Sequence, residues 1–353
     1  MTLRLQTRLF RLPLRVPLAT AHGRRQAVEG LRLLLADGGG AVGLGEVTPL
    51  PAFGTESLAE AVSALGRLQL GQPPGRLEDV PEALSELRLA PAARAGVEMA
   101  LLDLLARRRG VALAMLLGAP RVHPVPVNAV LTGATAHQVA REAERAVASG
   151  FGTLKLKVGV GSAAEDAEKL TALREAVGSA IRLRADANGA WTEAEAALRL
   201  ATLIPVRLEY VEQPVGPADV AGLRRLRRLL PVAADEALGV AGAADALLDA
   251  ADGPGADVFI LKLPVLGGLL NALELAGRAR AHGVDVVVTS AMDGAVGRAA
   301  AAHLALALGG TRAHGLATGA LLLEDPGAHA VAFGALQLRD EPGLGVLPEA
   351  LGW

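Results

Sequence analysis

Between residues 153 and 262, five short apolar runs each end in charged side chains, and the charges recur at a nearly even interval. The runs are Thr153-Leu-Lys155-Leu-Lys157-Val158, Arg184-Ala-Asp186-Ala-Asn188-Gly189, Glu209-Tyr-Val-Glu212-Gln-Pro214, Val232-Ala-Ala-Asp235-Glu236 and Phe259-Ile-Leu-Lys262. From Lys157 onward the charges follow at 29, 26, 23 and 27 residues. A strand, a loop, a helix and a return loop occupy about that length in a βαβ unit. The charges therefore fall once per strand, at the same end of each strand.

The repeat extends on both sides. Strands are expected at 125–131, 153–158, 181–186, 207–212, 231–235, 257–262, 284–289 and 312–317. Helices are expected between them at about 135–149, 162–177, 192–203, 217–229, 240–251, 266–281 and 294–308. This pattern predicts an α/β fold, a (β/α)7β TIM-like barrel whose last helix is missing or displaced. The chain ahead of it reads differently. Residues 2–12 alternate as a strand, and 13–28, with Pro13, Pro17 and Gly23, read as a loop. Leu31–Ala36 and Ala41–Val47 form a hairpin around Asp37-Gly-Gly-Gly40. Thr55 is the expected cap of a helix running to about Leu70, and Pro91–Arg109 is a second, longer helix. The expected division is an N-terminal α+β capping domain at 1–120, a barrel at 121–320, and a tail at 321–353 returning to the first domain.

The totals exclude several function classes. Hydrophobic residues make up 51% of the 353 and charged residues 20%, a composition that buries a core rather than staying disordered. A net charge of −2 makes no electrostatic case for nucleic acid or an anionic membrane. There is no cysteine, hence no disulfide and no thiolate chemistry. The N-terminus has scattered arginines and no signal-peptide core, and no run of about 18 apolar residues suggests a membrane span. The expectation is a cytoplasmic protein with a small-molecule partner; a homo-oligomer is left open.

Functional groups of such barrels sit at the C-terminal strand ends. Lys157, Asp186, Glu212, Asp235 and Lys262 all fall there. Three carboxylates converging on one mouth repel one another without a cation. Hard oxygen donors select Mg²⁺, Mn²⁺ or Ca²⁺ over zinc. Such an ion stabilises negative charge on a chelating carboxylate substrate. Lys155 and Lys157 are two apart and share a strand face, so the two ammoniums are expected to lower each other's proton affinity. Lys262 approaches from the far side. A base, a metal-bound carboxylate and an opposing cation suit removal of a proton α to that carboxylate.

As a set, Lys155-Leu-Lys157, Asp186-Ala-Asn188, Glu212-Gln213-Pro214, Asp235-Glu236 and Lys262 resemble the enolase superfamily, within it the muconate-lactonizing-enzyme subgroup. Gly43-Leu-Gly-Glu46 and Ala95-Gly-Val-Glu98-Met-Ala-Leu-Leu-Asp103 extend the likeness into the first domain. Sites of that superfamily pair a Lys or His base with one or two Mg²⁺ ions and tune its acid–base chemistry through them. The resemblance implies Mg²⁺ (Mn²⁺ as a substitute) on Asp186, Glu212 and Asp235, with Lys157 as base, Lys262 as its electrostatic partner and Lys155 beside them. The chain departs from the mandelate-racemase branch, which carries a His after strand seven; here stands Val288-Thr289-Ser290. It departs from dipeptide epimerases too: where they carry an Asp-x-Asp pair, this chain reads His314-Gly-Leu-Ala317-Thr318-Gly319.

Three loops resemble o-succinylbenzoate synthases: Pro17-Leu-Ala-Thr20-Ala21-His22-Gly23, Gly45–Glu56 and Thr289-Ser290-Ala-Met-Asp293-Gly-Ala-Val-Gly297. That likeness implies a lyase, a syn dehydration through an enediolate that yields o-succinylbenzoate for menaquinone synthesis. The alternatives are a racemase or epimerase of N-acylamino acids or dipeptides, a muconate-type cycloisomerase, or a non-catalytic barrel. Under this reading Thr20, His22 and Phe53 contact substrate, and Ser290 and the Gly294 N–H take its succinyl carboxylate. Asn188 orders Lys155 or a metal water. Lys155 either touches substrate or only tunes Lys157. Glu236 points away from Asp235 and supports rather than ligates.

Overall fold

The computed structural model describes residues 3–20, 23–249 and 253–353. The first domain is an antiparallel sheet, β1 (Arg4–Thr20), β2 (Gly23–Ala36) and β3 (Val42–Val47), in that order. One face of β2 carries Leu31, Leu33 and Leu35, which join the buried core with the helix Pro91–Arg108. Every residue of that helix from Ala95 to Ala106 is buried. Leu102→Ala is expected to cost about 2–5 kcal/mol, because Leu102 is fully buried in the core the helix shares with the sheet. The urea unfolding midpoint reads this directly.

Two expectations need correction here. Residues 13–20 and 23–28 are strand, not loop. Pro13 and Pro17 obscured it, yet β1 is the edge of its sheet, with only a single bridge from Leu14 to Leu322 on its outer side among the described residues, and an edge strand tolerates residues without an N–H. The pairing absorbs the irregularity as a register shift between Pro13 and Leu18. The helix after β3 is Leu58–Gly66, and its cap is Ser57, which forms a reciprocal capping box with Glu60. Thr55 instead accepts a hydrogen bond from the Leu50 N–H at 2.6 Å.

The second unit begins with β4 (Val125–Pro126) and β5 (Ala129–Leu131). Then come β6 (Thr153–Lys157), β7 (Arg182–Asp186), β8 (Tyr210–Glu212), β9 (Val232–Ala234), β10 (Val258–Leu261) and β11 (Asp285–Val288). β5 to β11 form one parallel sheet in sequence order, with helices between strands. The expected eighth strand at 312–317 does not form. Single bridges from His314 to Val127 and from Gly315 to Thr289 take its place, joining the sheet's two edges. Glycine and a buried histidine leave this segment too little apolar alternation for a ladder. The helix expected at 266–281 is two pieces, Leu263–Leu266 and Leu269–Ala281. Gly267 and Gly268, at φ +78° and +136°, break the turn between them.

The pleat explains the site. Side chains alternate across a strand. Leu154, Leu156, Leu183, Ala185, Val211, Phe259, Leu261 and Val288 belong to the large core. The opposite set, Tyr210, Ala233, Val258, Ile260 and Val287, fills the barrel's inside. That inner register continues to Lys155, Lys157, Asp186, Glu212, Asp235 and Lys262 at the strand tops.

The tail lies against both units. Its short strands β12 (Val331–Ala332) and β13 (Ala335–Leu336) pair onto β4. The Leu323 N–H donates to Pro13 at 2.8 Å, Leu113 N–H donates to Gly343 at 2.8 Å, and the Arg8 guanidinium stacks 4.5 Å from the Trp353 ring. Among the described residues no helix is long and apolar enough to cross a membrane.

Candidate active site

The pairing register puts Lys157, Asp186 and Glu212 side by side on β6, β7 and β8. Asp235 follows β9 and Lys262 follows β10, each two residues beyond an inward-facing side chain. Lys155 Nζ donates to Glu212 at 2.7 Å and stands 2.9 Å from Asp186. Lys157 Nζ donates to Asn188 Oδ1 at 2.6 Å and to Asp186 at 3.2 Å. Lys262 Nζ is bonded to Asp235 and lies 4.1 Å from the centroid of the Phe53 ring. All three carboxylates are buried.

Burial opposes the charged forms, and neighbours decide the outcome. Burial would depress Lys155, but Asp186 and Glu212 outweigh it and hold its pKa well above the ordinary value. The expectation that paired lysines depress each other therefore fails for Lys155: carboxylates, not ammoniums, are its nearest neighbours. Burial also works against the Asp186 anion, yet Lys155 and Lys157 hold its pKa well below the usual range. Glu212 is pushed up by burial and by Asp186. Asp235 is pushed up to about 6 by burial, which outweighs Lys262.

The donor chemistry fits a hard divalent cation. Three buried carboxylates offer only oxygen, and Asp235 Oδ1 has no hydrogen-bond partner although it is buried. Asp186, Glu212 and Asp235 are the residues that could hold such an ion. Among the described residues no three acidic or imidazole side chains form a ready ion cage. The lysines supply the counter-charge by bonding the carboxylates themselves.

Two supporting residues take the left-handed backbone. Asn188, at φ +46°, donates its N–H to Asp186 at 3.0 Å and its Nδ2 to Glu236 at 3.0 Å. It orders Lys157 rather than Lys155. Gln213, at φ +38°, was missed from sequence. Its Oε1 accepts the N–H groups of Asp235 and Ala237 at 3.0 and 3.1 Å, and its Nε2 donates to Val215 at 2.9 Å. Its place between Glu212 and Pro214 was the available signal. Gln213→Ala is expected to lower divalent-cation affinity about 10- to 100-fold, because it frees the turn that aims Asp235. Titration calorimetry with Mg²⁺ on the folded variant measures it.

A cavity of about 560 Å³ opens over these groups. Phe53, Ser290 and Thr318 line it, with Arg11, Arg25 and Glu29 also in its wall. Ser290 and Thr318 share a hydrogen bond of 2.6 Å. Gly294 is a correction. Its N–H is spent on Glu46 of the first domain at 2.6 Å, so it is not free for a substrate carboxylate. Thr20 ends β1. His22 lies outside the described residues. The acids Glu46, Glu98 and Asp293, all buried, were not marked as site residues from sequence.

Comparison with known proteins covers both domains. Residues 4–118 match the mandelate racemase/muconate lactonizing enzyme N-terminal domain, and residues 138–350 match the enolase C-terminal domain-like family. The L-Ala-D/L-Glu epimerase of Bacillus subtilis (strain 168) is 32% identical over 312 residues, 86% of this chain and 84% of its own length. Muconate cycloisomerase 1-1 of Acinetobacter lwoffii is 33% identical over 85% of this chain and 81% of its own. Two solved structures superpose with a TM-score of 0.89. One is the dipeptide epimerase of Enterococcus faecalis V583 complexed with Mg and the dipeptide L-Leu-L-Tyr, 29% identical over 98% of this chain and 99% of its own. The other is the N-succinyl Arg/Lys racemase of Bacillus cereus ATCC 14579, 26% identical over 99% and 97%. These relatives are epimerases, racemases and cycloisomerases, so they do not carry the o-succinylbenzoate synthase reading of the loops.

Proposed function

This chain belongs to the mandelate racemase/muconate lactonizing enzyme family, and on that premise we propose that it is a Mg²⁺-dependent racemase or epimerase of an N-acylated amino acid. The observation that carries this reading is the placement of two amines. Lys157 ends β6 and Lys262 follows β10, four strands apart in a barrel of seven strands and one bridged segment. Both line the cavity. They approach a substrate held there from opposite walls, the arrangement that proton transfer between two faces of one carbon requires.

Lys157 takes the α-proton from one face and Lys262 returns one to the other, and the roles reverse for the mirror substrate. Asp186, Glu212 and Asp235 would hold Mg²⁺, and its positive charge would stabilise negative charge on the substrate carboxylate. Asn188 holds the Lys157 amine on its Oδ1, and the Phe53 ring covers the Lys262 amine.

The far end of the cavity favours an acylated amine over a free one. Thr318 and Ser290 are neutral and bonded to each other. Apart from Asp186 and Glu212, the acid among the described residues lining the cavity is Glu29, and it is paired with Arg11 at 3.1 Å. Among the described lining residues away from the metal-site carboxylates, a substrate ammonium would find no unpaired carboxylate, whereas Arg25 suits an acidic acyl arm. The same neutral wall favours, as a second reading, dehydration of a cyclohexadiene carboxylate with a succinyl arm, where Lys262 need only stabilise charge.

The test incubates the Mg²⁺-loaded enzyme in D₂O with each enantiomer of a set of N-succinyl amino acids. The expected result is α-deuteration and loss of optical rotation from both enantiomers. Preference for unacylated dipeptides, or release of an absorbing aromatic acid from the cyclohexadiene substrate with no racemisation, would overturn it.

A further inference from the structure

Five described barrel helices have eleven or more residues, and they begin in two different ways. Ala136–Ala148, Ala163–Val177 and Glu193–Leu203 cap themselves through the side chains of Thr135, Ser162 and Thr192. Leu269–Ala281 and Ala295–Leu308 start at Gly268 and Gly294, which have no side chain to offer. Carboxyl groups of the other domain take the first N–H groups of Leu269–Ala281 and the N–H of Gly294, the residue just ahead of Ala295–Leu308. Glu98 Oε2 accepts from Leu269 and, at 3.3 Å, from Leu270, and Glu46 Oε1 accepts from Gly294 at 2.6 Å. Both acids are buried. The glycines make this approach possible. A Cβ on Gly268 would collide with Glu98 Oε2, and one on Gly294 would lie 2.6 Å from Glu46 Oε2.

These two helices follow the strands whose ends carry Lys262 and Ser290. Lys262 is joined to Gly268 by one short turn, Leu263–Leu266. Arg94 of the first domain fastens the same turn by bonding the Gly267 carbonyl. Glu46 holds the end of the Thr289–Gly294 loop, where Asp293 also accepts from Thr48 of the first domain at 2.5 Å. The carboxylate end of each cap bears on a helix terminus that carries partial positive charge. We propose that Glu98 and Glu46 are positioning residues: the capping domain sets Lys262 and the Ser290 loop by capping their helices in trans. The β6 to β8 side, with Lys157, needs no such help, because its helices are capped from their own chain segment.

The proposal rests on the two-amine reading above and predicts an asymmetry. Glu98→Ala should slow exchange at the substrate face served by Lys262 about 10- to 100-fold, and change the Lys157 face far less. Glu98→Gln keeps a carbonyl acceptor and should restore much of the loss. Equal loss at both faces, or no loss, would overturn it. Hydrogen–deuterium exchange of backbone amides gives a reading independent of any substrate. Amides 269–272 should exchange faster in Glu98→Ala, and 294–297 in Glu46→Ala, with 163–166 unchanged. If neither segment responds, the capping role fails whatever the enzyme's substrate proves to be. Should Glu98→Ala not fold, Gly268→Ala, which displaces the carboxylate, takes its place under the same outcomes.

Discussion

Lys157→Ala is expected to lower turnover about 10²- to 10⁴-fold, the usual contribution of a positioned base. The loss should be lopsided. Exchange of the α-proton that faces β6 should vanish, while a slow exchange at the face of Lys262 persists. Monitoring each enantiomer separately in D₂O by proton NMR reads this. Lys262→Ala should give the mirror result. If Lys262→Ala leaves exchange at both faces intact, the amine serves only to hold charge, and the dehydration reading gains. The fold should survive Lys157→Ala, since the side chain is part-exposed and its bonds among the described residues are to Asp186 and Asn188.

Asp186→Ala should have the second large effect and act on two quantities at once. Its carboxylate accepts from the Lys157 amine and the Asn188 N–H and pairs with the Lys155 amine, so its removal strands buried positive charge. Removing one member of a buried pair costs about 3–5 kcal/mol. Mg²⁺ binding and turnover should fall together, the first by calorimetry, the second by the exchange assay. Asp186→Asn separates the two effects: it keeps the shape and the acceptor for Asn188, so the fold should recover while Mg²⁺ binding does not. Turnover that persists without Mg²⁺ in either variant would remove the metal from the proposal.

Much of the site was legible because it repeats. One charged residue at each strand end, on a nearly fixed spacing, states the strand order and the facing of each side chain. That is why Lys155, Lys157, Asp186, Glu212, Asp235 and Lys262 could be named from the chain alone. The chemistry of their neighbours was not legible. Whether Lys155 is depressed by Lys157 or raised by carboxylates depends on which of them is its nearest neighbour. Strand pairing decides that. Asn188 and Gln213 show the same divide. Their place in each motif was visible, but the left-handed turns that let them orient Lys157 and Asp235 exist only once adjacent strand ends meet.

The loops were read least well. The likeness of three loops to o-succinylbenzoate synthases pointed to a lyase, whereas the relatives over most of the chain are epimerases, racemases and cycloisomerases. Loop residues answer to one substrate and vary with it; strand-end residues answer to the common chemistry. Gly294 illustrates the error. It reads as an anion-binding helix start, but the acceptor it binds is the carboxyl group of Glu46, 248 residues earlier in the chain.

From the linear chain alone came the barrel, the inward face of each strand and the set of ionisable groups at its mouth, because period-2 and βαβ spacing are local properties. The three-dimensional fold alone decided which charges touch, which helices are capped from another domain and what covers Lys262. Those depend on contacts between residues as far as 248 positions apart, and a local pattern carries no information about separations of that kind.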